Sequence, residues 1–554
     1  MPLTKLQFRP GIVRDTTSYT NEGGWFDCDK VRFRQGVPER IGGWERISNS
    51  EFQGTARGLK PFKALDGTSF MGVGTHLKYY VEEGGGYNDI TPIRATTAAG
   101  DVTFAATNGS STLTVTDNGH GAVANDFVTF SGAVTLGGNI TATVLNQEYQ
   151  IVTVPTANSY TITAKDTSGT TVTANSSDTG NGGSSIVGAY QINVGLDTSV
   201  AGSGWGAGTW GRGTWGSTAT LTAVTDILRL WSHDNFGEDL IINVRDGGIF
   251  YWDKSTSSSP YQRAVALSDR SGSDSTTPTI AKGVLVSDRD RHVIVFGCDP
   301  ENNIGVQDPM LIRFSDQEDP TVWQSTATNT AGDLRLGSGS EIVTATETRQ
   351  QVLVFTDTAV YAMQFLGPPF TFGVNLISEN VTIMAPNATK AVDDMVFWMG
   401  IEDFYVYNGQ VQKLPCTVRS YVFNDFNDAQ AEKTFATLNS SYNEVWWFYP
   451  SADSDEVDRY VVYNYLEKVW YYGNLARTAW VDRGINGYPR ATGTDHYVYN
   501  HEFGIDDGST VPSQAVDSYI ESSQIDIGDG DKFTYIRRVI PDLTFLGSTN
   551  LSSP

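Results

Sequence analysis

A hairpin pattern that recurs along this 554-residue chain is the feature that most constrains its fold. Each copy is a short apolar strand, a turn of Gly, Asp or Asn, and a second strand that carries aromatic residues. The copies occupy 69–81, 239–252, 351–365, 395–407 and 444–473, with weaker ones beginning at His292 and near Gly493. Their spacing outside one inserted segment is roughly 45 to 60 residues, which is typical of four-stranded propeller blades. The sequence therefore predicts an all-β fold, an irregular β-propeller of six or seven blades, with a set of β-sandwiches as the alternative.

Residues 95–200 form the inserted segment. They are rich in Thr, Ser, Ala, Gly, Asn and Val, and they hold seven acidic residues against the single Lys165. Runs such as STLTVTD and SYTITAK alternate apolar and small polar residues with a period of two, which predicts a compact antiparallel β module. We expect it to act as a spacer, a partner dock or a weak adhesin.

The remaining chain divides around this module by composition. Residues 1–94 are predicted to be an N-terminal arm and the first propeller strands, 201–222 a Gly- and Trp-rich joint, and 223–510 the propeller-like core. Residues 511–554 are predicted to be a C-terminal β segment that continues beyond Pro554.

Charge and cysteine content limit the classes of protein to consider. The net charge of −25 opposes non-specific binding to nucleic acid, although an acidic surface also suits a conduit along which DNA slides without sticking. Cys28, Cys298 and Cys416 are widely spaced and predict buried thiols, not disulfides or a zinc site. Neither an apolar signal core nor a membrane segment is found, so we expect synthesis in a cytoplasm.

No motif in the sequence supports an enzyme. The six histidines are dispersed, no nucleophile or phosphate-binding motif occurs, and no carboxylate pair can be singled out. The stretch FSDQEDPTVW (314–323) departs from the Asp box of sialidases, and we interpret it as a turn at a blade edge. The sequence thus predicts no catalytic residue, no cofactor and no metal ligands.

The stretch GSGWGAGTWGRGTWGS (202–217) places Trp205, Trp210 and Trp215 five residues apart. Its glycines exclude a helix, and in an extended strand this spacing sends Trp210 to the face opposite the other two rings. A single aromatic platform for glycan stacking is therefore disfavoured, though turns at the glycines leave it open. A contact between domains or subunits is the favoured interpretation, since tryptophan is enriched at buried contacts.

Long phrases of the chain resemble a family of phage proteins, the packaged-DNA stabilisation proteins that form the tail hub or nozzle of short-tailed phages. The resemblance begins with FRPGIVRDTTSYTNEGGWFDCDKVRFRQGVPERIGGWER (8–46) and covers most of the chain. Its other phrases lie at 120–133, 188–197, 204–216, 228–253 and 313–323.

This resemblance implies a structural virion protein with a propeller-like core, made in the host cytoplasm and located in the phage tail. It implies a homo-oligomeric ring, a hexamer, below the portal and its adaptor ring. Such a ring extends the channel for double-stranded DNA without binding it specifically, retains packaged DNA until ejection, and docks tail fibres, spikes or a needle. The family carries no catalytic residues to transfer to this chain.

Tryptophans are the candidate assembly contacts. They are Trp25 and Trp44 in the N-terminal arm and Trp205, Trp210 and Trp215 in the joint, because a ring subunit uses two different surfaces. The competing hypothesis is a tail-associated protein that binds or depolymerises polysaccharide.

Replacing Trp210 and Trp215 together by Ala should reduce assembly of the ring on the adaptor, because two large apolar contacts are removed. Light scattering of the mixed proteins measures the assembly, and circular dichroism checks that the variant folds. Unchanged assembly would remove the hypothesis that these rings are contacts.

Overall fold

The computed structural model describes residues 5–176, 178, 180–200, 227–255, 261–526 and 535–544. The chain begins with an N-terminal arm of short strands. They are β1 (Arg9–Ile12), β2 (Gly24–Asp29), β3 (Val31–Arg34), β4 (Val37–Arg40) and β5 (Trp44–Arg46). The first blade follows as a four-stranded antiparallel sheet whose strands lie in chain order. Its strands are β6 (Ala56–Lys63), β7 (Ser69–Thr75), β8 (Tyr79–Glu83) and β9 (Gly86–Asp89).

An inserted module leaves the ring after the first blade. Its strands form one seven-stranded sheet in the order β10-β16-β13-β14-β15-β12-β11 and enclose a hydrophobic core of their own. The elements are β10 (Ile93–Thr96), β11 (Thr103–Ala106), β12 (Thr112–Thr116), β13 (Phe127–Ser131), α1 (Ala142–Leu145), β14 (Glu148–Thr156), β15 (Ser159–Thr163) and β16 (Val187–Gln191). The sheet occupies the segment in which the sequence predicts a β module and begins two residues earlier, at Ile93.

Five further blades repeat the architecture of the first. The second is β17 (Trp231–Phe236), β18 (Asp239–Val244), β19 (Ile249–Trp252) and β20 (Val265–Ala266); the third is β21 (Gly283–Val286), β22 (Val293–Phe296), β23 (Leu311–Phe314) and β24 (Gly332–Arg335). The fourth is β25 (Ile342–Glu347), β26 (Val352–Thr356), β27 (Ala359–Gly367) and β28 (Thr371–Glu379); the fifth is β29 (Thr389–Val392), β30 (Met395–Met399), β31 (Phe404–Tyr407) and β32 (Val411–Lys413). After helix α2 (Arg419–Asn424), the sixth is β33 (Phe435–Asn439), β34 (Glu444–Tyr449), β35 (Arg459–Asn464) and β36 (Val469–Asn474).

The seventh blade closes the ring. The C-terminal part supplies β37 (Ala479–Val481), β38 (Arg490–Thr492), β39 (Val498–His501), β40 (Asp506–Gly508) and β41 (Gln514–Ala515) to this sheet, whereas β42 (Tyr519–Ser522) pairs with β2 of the N-terminal arm. The fourth strand of this blade is β5 of the N-terminal arm, which pairs antiparallel with β39 and parallel with β40. The first strand of each blade contacts the first strand of the next, and β37 contacts β6. The predicted all-β propeller is confirmed, with seven blades.

Aromatic rings fill the spaces between neighbouring blades. Tyr79 of the first blade meets Trp231 of the second with ring centroids 4.9 Å apart, and Trp446 of the sixth meets Trp480 of the seventh at 5.6 Å. The predicted hairpins contain the second and third strands of their blades and supply one ring of each contact, Tyr79 and Trp446, while the other ring comes from a first strand. Lateral packing of aromatic faces explains why the pattern recurs in sequence.

A buried ion cluster fastens the N-terminal arm to the last two blades. The Arg32 side chain on β3 is 1% exposed and donates from Nε to Glu444 Oε1 at 2.9 Å, while Glu444 itself is 0% exposed. Arg32 Nη1 also donates to Glu502 Oε2 at 2.8 Å, just after β39. The guanidinium lies 3.6 Å from the centre of the Tyr442 ring. One cation thus joins the arm, the sixth blade and the seventh.

A second charged cluster fixes the inserted module to the first two blades. Glu148 on β14 accepts hydrogen bonds from Lys78 of the first blade and from Arg263, which precedes β20, the latter at 3.2 Å. Lys78 is 4% exposed and also donates to Asp89 at 2.8 Å. Because these charges are largely buried, the module is held by specific contacts and not only by its two connecting segments.

Replacing Arg32 by Gln should lower the free energy of unfolding by about 3–5 kcal/mol, because two buried carboxylates lose their cation. Urea unfolding followed by tryptophan fluorescence measures the change. Arg335→Gln is the matched control, since that side chain is 61% exposed and pairs with Asp308 at the surface. The control should change stability by about 1 kcal/mol or less. Equal effects of the two substitutions would contradict a role of Arg32 in closing the ring.

Candidate functional site

The first strands of the blades surround the propeller axis and form its central channel. Because neighbouring strands are antiparallel, the turn between the second and third strands of a blade lies at the end where the first strand begins; Trp231, for example, pairs with Val244. We name this end of the channel the upper face and the opposite end the lower face.

Ion pairs cover the upper face. Each involves a residue just before or at the start of a first strand, or in a turn that leads into a third strand. They join Arg57 to Asp197 and Glu456, Lys433 to Glu456, Arg245 to Glu432, and Lys282 to Asp246 and Glu341. Burial alone raises the pKa of Glu456, but the hydrogen bonds and charge of Arg57 hold that pKa below its ordinary value. The Glu456 carboxylate therefore stays ionised and keeps its pairs.

One of these pairs spans the axis between blades that are not neighbours. Arg245 of the second blade donates from Nη2 to Glu432 Oε1, just before the sixth blade, at 2.7 Å. The major groove of B-form DNA alone is about 12 Å wide. The channel of a single chain therefore leaves no opening through which a DNA duplex could pass.

A small cavity lies beside this pair. It has a volume of about 70 Å³ and is lined by residues of the second, third and fourth blades, among them Trp231, Arg245 and Lys282. Pockets for small-molecule ligands usually enclose about 300–1,000 Å³. The cavity is thus too small for a ligand of ordinary size.

Inside the channel, side chains hydrogen-bond the backbone groups at the inner edges of the sheets. Ser232 Oγ on β17 accepts from Val284 N at 3.0 Å and donates to Val284 O at 2.8 Å, and Asp234 Oδ2 accepts from Val286 N at 2.9 Å. Polar residues on one first strand thereby hydrogen-bond the backbone of the next. The inner edges are part of the closure and are not left as open strands.

Charged groups also lie toward the lower face. Lys60 pairs with Asp234 at 2.5 Å, and Glu347 Oε1 accepts from Asp288 N at 3.1 Å. Burial, and then the charges of Asp288 and Asp234, outweigh that hydrogen bond and raise the pKa of Glu347 to about 7. Burial and the charge of Lys60 likewise lower the pKa of Lys390.

Of the predicted assembly residues, Trp25 and Trp44 lie in the part of the chain that the structure describes. Trp44 on β5 is 3% exposed, and its Nε1 donates to Ser509 Oγ at 2.9 Å, so its ring packs inside its own chain. Trp25 is half-buried, with its ring centroid 4.4 Å from that of Phe8. Trp205, Trp210 and Trp215 lie outside the described residues. A role for any of them in contacts between subunits stays a prediction.

The turn at 314–323 connects the third and fourth strands of the third blade. Asp316 Oδ1 accepts from Thr330 N at 2.8 Å, and the Trp323 ring is 1% exposed, with Nε1 donating to Pro320 O at 2.8 Å. Both side chains therefore serve the turn itself and its packing.

Sequence reasoning missed the ion pairs of the upper face. Arg245 and Glu432 are 187 positions apart, and no linear motif links them. The available signal was the charged turn VRDGG between two apolar strands, which the hairpin pattern includes but does not distinguish from other turns.

The described residues offer neither a metal centre nor a membrane-spanning helix. No group of three or more His, Cys, Asp or Glu in those ranges is arranged to hold a metal ion. Among the same residues, no helix has the length and apolar character needed to cross a membrane.

Comparisons with known proteins give only distant similarities. No protein-family profile and no curated protein sequence matches the chain. Among solved structures, Kluyvelomyces marxianus Hsv2 is 7% identical with a TM-score of 0.31, over 50% of this chain and 76% of that one. Human WBSCR16 is 8% identical with a TM-score of 0.25, over 52% and 76%. The phage phi92 endosialidase is 11% identical with a TM-score of 0.20, over 96% and 82%. Such TM-scores carry no functional information, and the propeller is established by its own sheet order and ring contacts.

Replacing Glu347 by Gln should stabilise the protein at pH 8 and leave its stability unchanged at pH 4. The folded chain holds the Glu347 proton more tightly than the unfolded chain, where the ordinary pKa is 4.5, so stability is lost as the pH rises from 4.5 to about 7. With solvent screening, the gain at pH 8 is about 1–2 kcal/mol. Thermal unfolding across this pH range measures it. Glu402→Gln, at an 81% exposed side chain, is the control and should show no such pH dependence. A gain from Glu347→Gln that is equal at pH 4 and pH 8 would contradict the assignment.

Proposed function

We propose that this chain is a structural virion protein that builds the nozzle or hub ring of a short-tailed phage. In this role several copies extend the channel of the portal and adaptor, retain packaged DNA and dock fibres, spikes or a needle. The observation that carries the proposal is a closed seven-bladed ring that holds a separately folded β module on its rim.

The ion pairs at the upper face of the channel decide where DNA would pass in the proposed ring. Since the pair between Arg245 and Glu432 spans the axis, the propeller is a solid building block and not itself a conduit. The DNA channel of the proposed ring therefore lies between copies, along outer surfaces of the blades. A heterologous ring of such blocks produces a central opening without any change in the fold of one copy.

The charge of the chain supports a conduit with little adhesion. A net charge of −25 gives phosphate groups few favourable contacts, because affinity for DNA depends on cations that release its counterions. An acidic wall keeps a duplex mobile and leaves its retention to geometry. The acidic charge acts through the surface of the assembled ring and not through a binding site.

The inserted module supports the docking part of the proposal. It leaves the ring between β9 and β17, has its own buried core, and is fixed by Lys78 and Arg263 to the first two blades. A rigid projection of this kind presents a defined surface to another tail protein at a fixed angle.

The mass of the purified chain, alone and with the adaptor ring of its phage, tests the proposal. We expect a small species alone and a ring of about six copies on the adaptor, because the two surfaces of a heterologous contact are aligned there. Native mass spectrometry measures the stoichiometry. Arg245→Gln is the matched variant: it removes the pair across the propeller axis, and DNA ejection from particles that carry it should be unchanged, because DNA does not take that path.

Failure to associate with the adaptor would overturn the proposal. Altered ejection by Arg245→Gln in normally assembled particles would overturn the path between copies. Saturable binding to host capsular or lipopolysaccharide glycans, or release of saccharides from them, would instead support the glycan-directed alternative.

A further inference from the structure

A groove lies between the sixth and seventh blades, beneath the N-terminal arm. Its volume is about 470 Å³, within the range of ligand pockets. Residues at the ends of β35 and β36 form one wall, the segment leading into β37 forms the floor, and β5 with β40 forms the other wall. The lining of the groove includes Lys30, Trp44, Arg459, Asn474, Arg477 and Asp507.

Arg477 on the floor of this groove has an unusual set of contacts. The residue is 5% exposed; its Nε donates to His501 Nε2 at 2.9 Å and its Nη1 to Ala476 O at 2.9 Å. Its Nη2 is buried and donates to no described residue. The guanidinium carbon lies 4.6 Å from the centre of the Tyr499 ring and 5.3 Å from that of Trp44. The cation is therefore surrounded by rings and contacts no carboxylate among the described residues.

Other deeply buried arginines of the chain have contacts that differ from those of Arg477. Arg32 contacts Glu444 and Glu502, and Arg57 contacts Asp197 and Glu456. Arg313 contacts no carboxylate in the part of the chain that the structure describes, and it donates instead to the backbone carbonyls of Asp299 and Thr276. Arg229 likewise contacts no described carboxylate, but it does not line the groove. Arg477 combines a buried cation, a free donor and an open groove, and that combination suits an anion.

His501 strengthens this preference. Burial and the neighbouring charge of Arg477 lower the pKa of His501 far below its ordinary value, so the imidazole is neutral and accepts the Arg477 hydrogen bond. Burial also lowers the pKa of Arg477 itself to about 10, which leaves the guanidinium charged at neutral pH. The floor of the groove therefore carries a positive charge that has no ion-pair partner among the described residues, although the carboxylates of Asp495 and Asp507 act on it from a distance.

We propose that this groove binds a carboxylate group through the guanidinium of Arg477, with the organic body of the ligand against Trp44 and Leu475. Charged hydrogen bonds from arginine to carboxylate are among the strongest in proteins. Lys30 and Arg459 add positive charge to the lining, but each already pairs with a carboxylate, at 2.6 Å to Asp29 and 3.4 Å to Asp425. Asp458 and Asp507 also line the groove. Their charges favour a monoanion over a phosphate dianion.

Two kinds of ligand carry such a carboxylate: a small free acid and an acidic side chain of another protein. Benzoate represents the first, and the capped peptide acetyl-Gly-Glu-Gly-amide represents the second. Its Gln counterpart and inorganic phosphate serve as comparison probes. Isothermal titration calorimetry of the full chain with each probe, at constant ionic strength in chloride, measures binding.

We expect saturable binding of benzoate or of the Glu peptide, with one site per chain, and weaker binding of phosphate. Arg477→Gln should lower the affinity for the carboxylate probe at least tenfold. Asp507→Asn should raise that affinity several-fold, because it removes a repelling charge. Arg335→Gln, at an exposed arginine far along the chain from the groove, should leave the affinity unchanged. Asn474→Asp adds a carboxylate at an exposed position on the rim and should weaken binding at least threefold.

The Asn474→Asp and Asp507→Asn variants decide the question if Arg477→Gln does not fold, because neither alters the buried contacts of Arg477. Absence of saturable carboxylate binding would overturn the proposal. So would phosphate binding tighter than either carboxylate probe, or equal affinities in the wild-type chain, Asn474→Asp and Asp507→Asn. The proposal does not depend on the nozzle role, since every readout uses the isolated chain.

Discussion

The pairing of β5 with β39 is the contact on which the rest of the structure depends. The sheets of a propeller pack against those of neighbouring blades, so the first and last blades stay together through contacts that cross the closure. Here Trp44 and Glu45 pair with His501 and Asn500, after nearly the whole ring has been traversed. The entropy of closing so long a loop rises only slowly with its length, so a short strand can suffice when it is reinforced. Arg32 supplies that reinforcement by contacting the sixth and the seventh blade with one buried side chain.

Closure also determines the chemistry of the axis. Once the ring is shut, the first strands are brought close enough for Ser232 and Asp234 to hydrogen-bond the edge of β21. The same proximity lets Arg245 reach Glu432 from a blade that is not adjacent. Buried ion pairs contribute little net stability, because desolvation offsets much of the attraction, but a lost partner is costly. The upper face therefore specifies the register of blades around the axis more than it strengthens the ring.

The hairpins were predictable from sequence, and the closure was not. The second and third strands of a blade are buried on both faces, so their apolar and aromatic residues leave a clear pattern, as in QVLVFTDTAVYAMQF. First strands such as ATLN and short outer strands such as VA lack that pattern, because part of each faces the channel or solvent. Strand β5 is only Trp44–Arg46, and nothing local marks it as the end of a ring. The clusters of Arg32 with Glu444, 412 positions away, and of Arg477 with its groove exist only in three dimensions. The Trp44 ring illustrates the same limit: it stacks on the His501 ring of β39 with centroids 5.4 Å apart, and no local pattern links these two residues.

The distribution of charge links these features to the proposed role. Many cations of this acidic chain are used internally: Arg32, Arg57, Lys78 and Arg245 are each paired with carboxylates at the closure, the channel or the module junction. Cations held in these internal contacts are not available to offset the acidic residues of the outer surface, in a chain whose net charge is −25. A ring built from such subunits would meet DNA with surfaces depleted of arginine and lysine, and the same depletion makes neighbouring copies repel one another. Assembly would then need specific contacts strong enough to overcome that repulsion, or a template that aligns them. Under the proposed role, an acidic conduit and assembly that waits for the adaptor would both follow from one charge distribution.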